Sequence, residues 1–110
     1  HIAKLLNEKY DQGTVTLTIK EQYRNMKEKI EPCMHLIDNA KKAVQESGPN
    51  PVTVAIRGGT DGARLSFMGL PCPNLGTGGY AFHGPCEHIT VEGMDYAVEN
   101  LKNIVKLYAC

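Results

Sequence analysis

Hydrophobic and polar positions fall into a sequence of recognisable periods. Ile2, Leu5, Leu6 and Tyr10 recur at helical spacing, which predicts the end of a helix over residues 1–12, with Gly13 as its stop. Thr14–Lys20 then alternates strictly: Val15, Leu17 and Ile19 share one face, and threonines and lysine share the other. That period predicts a half-buried strand, which usually lies in an antiparallel sheet with one wet face. Glu21–Ile30 is charged and reads as a connection across the surface. Pro32 suits a first helical turn, and Met34, Ile37, Ala40, Ala43 and Val44 mark one buried stripe of a helix over Cys33–Ser47. After the turn Gly48-Pro49-Asn50-Pro51, Val52–Ile56 is apolar on both faces, as expected of a strand buried between two layers.

The second half continues the alternation. Thr60 is a good N-cap, Asp61 suits the first helical turn, and Ala63–Met68 predicts a short helix ended by Gly69. Leu70–Leu75 holds two prolines, each of which pushes its predecessor into extended backbone. Gly76–His88 has no period and reads as a loop. From Val91 onward Met94, Ala97, Val98, Leu101, Ile104, Val105 and Tyr108 form one continuous helical stripe, with Thr90 as N-cap. The fold class is therefore α/β, with α+β character at the N-terminal end. The charged stretch 22–31 is the expected linker between a first unit, residues 1–21, and a second, residues 32–110.

Composition narrows the function classes. Twelve basic and twelve acidic residues give a formal charge of zero, and no long basic run offers a footprint for nucleic acid. No apolar run approaches the ~20 residues that cross a membrane, and no signal peptide is visible. Cys33, Cys72, Cys86 and Cys110 form no C-x-x-C pair, so reduced thiols in a cytoplasmic protein are expected.

The chemistry-bearing residues cluster in Ile56–Pro85, which holds most of the chain's eleven glycines. Arg57 leaves the carboxyl end of a predicted buried strand, the rim where open α/β sheets bind ligands. A guanidinium there can grip a carboxylate through two parallel hydrogen bonds, or it can pair structurally with an acid. Gly58-Gly59-Thr60-Asp61-Gly62 turns backbone N–H groups toward a helix start, which favours an anion, but it matches neither glycine-rich nucleotide motif. His83 sits between glycines in an irregular loop, a better place for a metal or substrate than a helix stripe. Cys72, His83, Cys86 and His88 offer an alternative small zinc site, although H-x-x-C-x-H is not a common zinc spacing.

The run I-R-G-G-T-D-G-A, then L-S-F-M-G-L-P-C-P-N, then G-G-Y-x-x-H-G resembles the C-terminal portion of the peptidase T family, two-zinc tripeptide aminopeptidases. The likeness is tight over about residues 52–109 and looser over 14–51, where TVTLTIKEQY resembles the exit from that family's lid domain. The resemblance implies part of a catalytic α/β sandwich plus a helix and strand from the lid. It implies His83 as a metal ligand, Arg57 as the grip on the peptide's terminal carboxylate, and Gly58 and Gly59 as pocket lining. It also implies a tripeptide substrate and two zinc ions in the intact enzyme, where a metal-bound hydroxide activated by a glutamate attacks the scissile carbonyl. The family's H-x-D and Glu-Glu motifs are absent here, and Pro85 and Cys86 stand where a lysine and a histidine are usual. Glu87 persists and is expected to brace His83. With one ligand of several, these 110 residues alone are expected to hold no zinc stably, to carry no catalytic residue and to be inactive, lacking the N-terminal part of the catalytic domain. The alternative reading is a non-catalytic, self-associating or peptide-binding module: stripes separated from their core leave apolar surface that a second copy can cover.

Overall fold

A computed structural model describes residues 1–22 and 24–109. Tyr23, within the stretch that resembles the lid exit, and Cys110, one of the four thiols, lie outside the described residues. The order is α1 (Ile2–Lys9), α2 (Lys27–Ile30), a 3-10 turn (Glu31–Cys33), α3 (His35–Glu46), α4 (Asp61–Phe67), β1 (Gly79–Tyr80), β2 (His88–Ile89) and α5 (Val91–Tyr108). Among the described residues, five α-helices and a two-stranded antiparallel sheet, pairing Gly79 with Ile89 and Tyr80 with His88, make a mixed α/β chain as expected.

The helix ends follow the sequence closely. Thr60 Oγ1 accepts from Ala63 N at 3.1 Å, and Thr90 Oγ1 accepts from Gly93 N at 3.0 Å. Each hydroxyl satisfies one of the orphan donors of a first turn. Pro32 occupies the start of the 3-10 turn that leads into α3. Gly13 has φ +86°, but it closes a turn after the helix rather than capping it, because α1 already ends at Lys9.

The strands depart from expectation. Among the described residues neither Thr14–Lys20 nor Val52–Ile56 pairs with another strand. Val52, Val54 and Ile56 are 77%, 70% and 56% exposed, where burial between layers was expected. The physical reason is the missing partner: backbone donors and acceptors of an extended segment need a ladder, and a lone segment has none. One substitute ladder exists. Asn7 Nδ2 donates to Val15 O at 2.9 Å and Val15 N donates to Asn7 Oδ1 at 2.8 Å, so an amide side chain imitates one residue of a neighbouring strand.

The long helix α5 packs against α3, but through its polar seam. Asn100 and Asn103 are its buried residues, whereas Met94, Val98, Leu101, Val105 and Tyr108 of the predicted stripe stay exposed. Asn103 Nδ2 donates to Ser47 Oγ at 3.1 Å and reaches Ala43 O at 3.4 Å, against the fully buried Ala43. Helix α3 keeps its own stripe half-buried at Ile37, Ala40 and Val44 and buried at Ala43, so the exposed apolar face is mainly that of α5. The dimensions agree. The radius of gyration is 20.0 Å, against about 13 Å for a compact domain of this length. The accessible surface is 9058 Å², where a compact monomer of this mass exposes roughly 6,000 Å².

The charged stretch Glu21–Ile30 is more than a surface connection. It forms α2, which packs on α4 and buries Ile30. The Arg24 guanidinium and the Lys29 ammonium lie 5.1 Å and 5.3 Å from the centre of the Phe67 ring, two cations on one aromatic side chain. Helix α4 is locked in turn to the Pro-Cys-Pro segment. Ser66, 2% exposed, donates from Oγ to Gly62 O at 2.8 Å and accepts from Cys72 N at 2.9 Å. Gly62 faces Cys72 so closely that a Cβ would lie 2.6 Å from the Cys72 carbonyl oxygen.

Removing the Ser66 hydroxyl leaves the Cys72 N–H without its acceptor, so Ser66→Ala is expected to destabilise this lock by about 1–2 kcal/mol. Gly62→Ala is expected to displace residues 71–74 by steric contact alone. Amide exchange at Cys72, faster in both variants than in the parent chain, checks the pair.

Candidate functional site

Arg57 lies at the end of the unpaired extended segment and is exposed; among the described residues it makes no hydrogen bond or ion pair. The chain then turns through Gly58, whose φ of +101° lies in the region that glycine tolerates and L-residues with a Cβ resist. Thr60 closes the turn by capping α4, and Asn74 Nδ2 donates to the same hydroxyl at 3.2 Å. The turn's shape thus comes from three local devices: a left-handed glycine, a capping threonine and an amide clamp from the Pro-Cys-Pro side. Gly59, Thr60, Asp61 and Arg64 line an open cleft of about 360 Å³ that Gln22 closes from the linker. Arg57 and His83 are not among its lining residues.

His83 lies in the loop between β1 and β2. Its own φ is +65°, and that of Ala81 is +53°. Two residues with a Cβ in left-handed backbone cost about 1 kcal/mol or more each, so the loop must be held. Several contacts hold it. Gly84 N donates to Ala81 O at 3.0 Å and Glu87 N donates to Gly84 O at 3.1 Å. Glu87 Oε2 accepts from His83 N at 2.8 Å. The Tyr80 and His88 rings stack with centroids 5.4 Å apart across the hairpin. Phe82 folds back over Gly79, where a Cβ would lie 2.8 Å from the ring. The hairpin leans on the start of α5, since a Cβ on Gly78 would meet the Gly93 carbonyl oxygen at 3.0 Å. The His83 side chain itself is exposed.

The expected brace by Glu87 therefore acts on the His83 backbone. His88 Nδ1 lies 2.8 Å from Cys86 O; a carbonyl only accepts, so Nδ1 carries the proton and Nε2 is the free nitrogen of the neutral ring. Among the described residues no three His, Cys, Asp or Glu side chains converge where a metal ion would sit. The small site from Cys72, His83, Cys86 and His88 is thereby corrected: no three of these side chains come together. One imidazole also falls short of the several ligands that a two-zinc centre needs, so these described residues by themselves do not fit that group.

Ser66, Asn74 and the Gln22–Arg64 cleft were not singled out in the sequence. Only Ser66 left a signal, as a hydroxyl facing back along a short helix just before a Pro-Cys-Pro segment that needs an anchor.

No family model matches the chain. Individual curated proteins do. A peptidase T from Clostridium perfringens is 60% identical over 98% of this chain and 27% of its own length. One from Alkaliphilus oremlandii is 57% identical over 94% of this chain and 25% of its own length. One from Desulfitobacterium hafniense is 50% identical over 99% of this chain and 27% of its own length. The resemblance first seen in residues 52–109 thus extends through the looser N-terminal stretch as well. The chain is thus similar to peptidase T proteins over nearly its whole length, and it spans about a quarter of the length of the curated relatives it matches.

Proposed function

We propose that this chain is the C-terminal portion of a zinc-dependent aminopeptidase that releases the N-terminal residue of tripeptides. The observation that carries the reading is the 60% identity to a peptidase T across nearly every residue, the two glycine-rich turns included. In this reading residues 1–21 end the lid domain, 22–31 form the linker, and 32–110 close the catalytic domain. The intact protein works in the cytoplasm on small peptides.

The chain's own residues have definite tasks. The Arg57 guanidinium binds the substrate's terminal carboxylate through paired hydrogen bonds. Its lack of any internal partner among the described residues leaves both faces of the fork available. Gly58 and Gly59 keep side chains away from that carboxylate, so the peptide can approach the backbone. His83 offers an imidazole nitrogen to a metal whose remaining ligands, with the general base, come from the part of the protein outside these 110 residues. Zinc held there by His83 and by ligands outside these residues would supply positive charge to polarise a carbonyl.

A second reading, favoured by the exposed faces of Val52–Ile56 and α5, is a non-catalytic module that pairs with itself or with a peptide.

Three outcomes are expected. The purified 110-residue chain hydrolyses no tripeptide, with or without added zinc, and activity appears only when a polypeptide carrying the remaining length of the peptidase is supplied. A stable dimer that ignores that polypeptide, seen by light scattering, would instead establish the module. In the full-length protein Arg57→Ala is expected to raise KM for a tripeptide roughly 10- to 100-fold with little change in kcat, the signature of lost uniform binding. Arg57→Lys recovers only part of that loss, because an ammonium lacks the planar fork. A C-terminally amidated tripeptide should show no penalty from either substitution, and an equal penalty would remove Arg57 from the carboxylate site. Finally, His83→Ala is expected to lower zinc content, measured by elemental analysis of the full-length protein, without altering its helix content by circular dichroism.

A further inference from the structure

We propose that Glu87 is the positioning residue of the His83 loop, and that it acts on the backbone of His83 rather than on its ring. The geometry carries this. Glu87 Oε2 accepts the His83 N–H at 2.8 Å, four residues back along the chain. That N–H belongs to a residue with φ +65°, two positions after Ala81 at φ +53°. Neither residue is glycine, so neither conformation is free, and such backbone persists only where surrounding contacts over-determine it. The turn bonds Gly84 N to Ala81 O and Glu87 N to Gly84 O wind the loop into a tight ring. They leave the His83 N–H without a backbone carbonyl, and the exposed Glu87 carboxylate fills that place.

The choice of a carboxylate is informative. An ionised acceptor makes a shorter and stronger bond to an N–H than a neutral one. Glu87 has the reach to close a ring around three intervening residues, and it spends its second oxygen on no other partner among the described residues. The ring of His83 stays out of this network and remains exposed. The loop is therefore built to fix where the imidazole starts, at Cα, while keeping both ring nitrogens available. The Tyr80–His88 stack and the Phe82 ring over Gly79 anchor the same hairpin from its open end. Glu87 thus sets the direction in which His83 leaves the hairpin, and a rotation of that one φ would swing the imidazole away from any centre it serves.

The catalytic consequence rests on the role proposed for His83 above; the clamp itself does not. Residue-resolved amide exchange on the 110-residue chain reads the clamp directly. Glu87→Ala is expected to speed exchange of the His83 N–H about 10-fold, the loss of one charge-assisted hydrogen bond, with α3 and α5 amides unchanged. Glu87→Gln keeps an oxygen acceptor at the same reach and should restore exchange to within roughly threefold of the parent. Glu87→Asp, one methylene shorter, should behave like alanine. Equal His83 exchange in the parent and Glu87→Ala, acceleration spread evenly over α3 and α5, or exchange in Glu87→Gln as fast as in Glu87→Ala would each overturn the proposal. In the full-length peptidase, Glu87→Ala is expected to lower kcat with KM little changed, and Glu87→Gln to recover it. An unchanged kcat alongside the expected exchange pattern overturns the role of His83 in the reaction and leaves the clamp standing, so the two failures are read separately.

Discussion

An extended segment with apolar side chains on both faces is stable only between two layers, hydrogen-bonded on both edges. Val52–Ile56 has that sequence and neither kind of support among the described residues. Most other features of the molecule follow from this single deficit. Helices α3 and α5 pack on each other and carry apolar stripes of their own, yet their buried residues are Ala43, Asn100 and Asn103. A helix pair that packs through asparagines while holding Leu101 and Val105 in solvent is arranged as two neighbours of one layer. Edge contact between such neighbours is narrow and tolerates polar groups, because the main apolar burial is meant to come from below. Surface ion pairs do not compensate. The pair Lys102–Glu99, at 2.6 Å, holds the Glu99 carboxyl below its usual range through that hydrogen bond, yet both groups are exposed and screened by water.

How far the sequence foretold the structure depends on the range of the interaction. Features decided within four or five residues were readable. The hydroxyls of Thr60 and Thr90 cap the helices they precede, Pro32 opens a turn, and α3 and α5 occupy nearly the spans that their periods mark. Features decided by distant partners were not. The alternation of Thr14–Lys20 describes a strand correctly as a potential, but a strand is a relation between two segments, and here only Asn7 supplies a fragment of the second. Likewise the stripe of α5 identifies which face seeks burial without identifying what will bury it. The charged linker shows the converse error. Its composition suggested a solvated connection, whereas Phe67, forty or so positions later, draws two of its cations onto one ring and lets Ile30 enter a small core.

The same distinction applies to the candidate site. Each of its parts is shaped locally. The Arg57 turn is fixed by Gly58, the Thr60 cap and the Asn74 amide; the short helix behind it is pinned by Ser66 to Cys72. The His83 loop is fixed by Glu87, a pair of turn bonds and a stacked hairpin. These parts are preformed in the sense that matters for a binding group: its backbone origin and departure angle are set before any ligand arrives. Residue types with special backbone tolerance were therefore good pointers. The two hydrogen bonds of Ser66, and the fact that Glu87 holds the backbone of His83 and not its ring, depend on the folded geometry and not on residue type.

What local devices cannot supply is the separation between the two parts. Arg57 departs from a segment whose position in space is normally dictated by its sheet, and His83 rides on a hairpin that leans on α5 through the close approach of Gly78 and Gly93. The distance between a guanidinium and an imidazole placed in this way is set by how the strand docks beneath the helix. That docking needs the apolar faces now in solvent to be covered. On the proposed reading, a peptide spanning the two groups would meet both without a fixed spacing between them. Since misplacement by about 1 Å can cost a hundredfold in rate, burial of Val52–Ile56 would, on the proposed reading, be as much a requirement of the chemistry as of the fold.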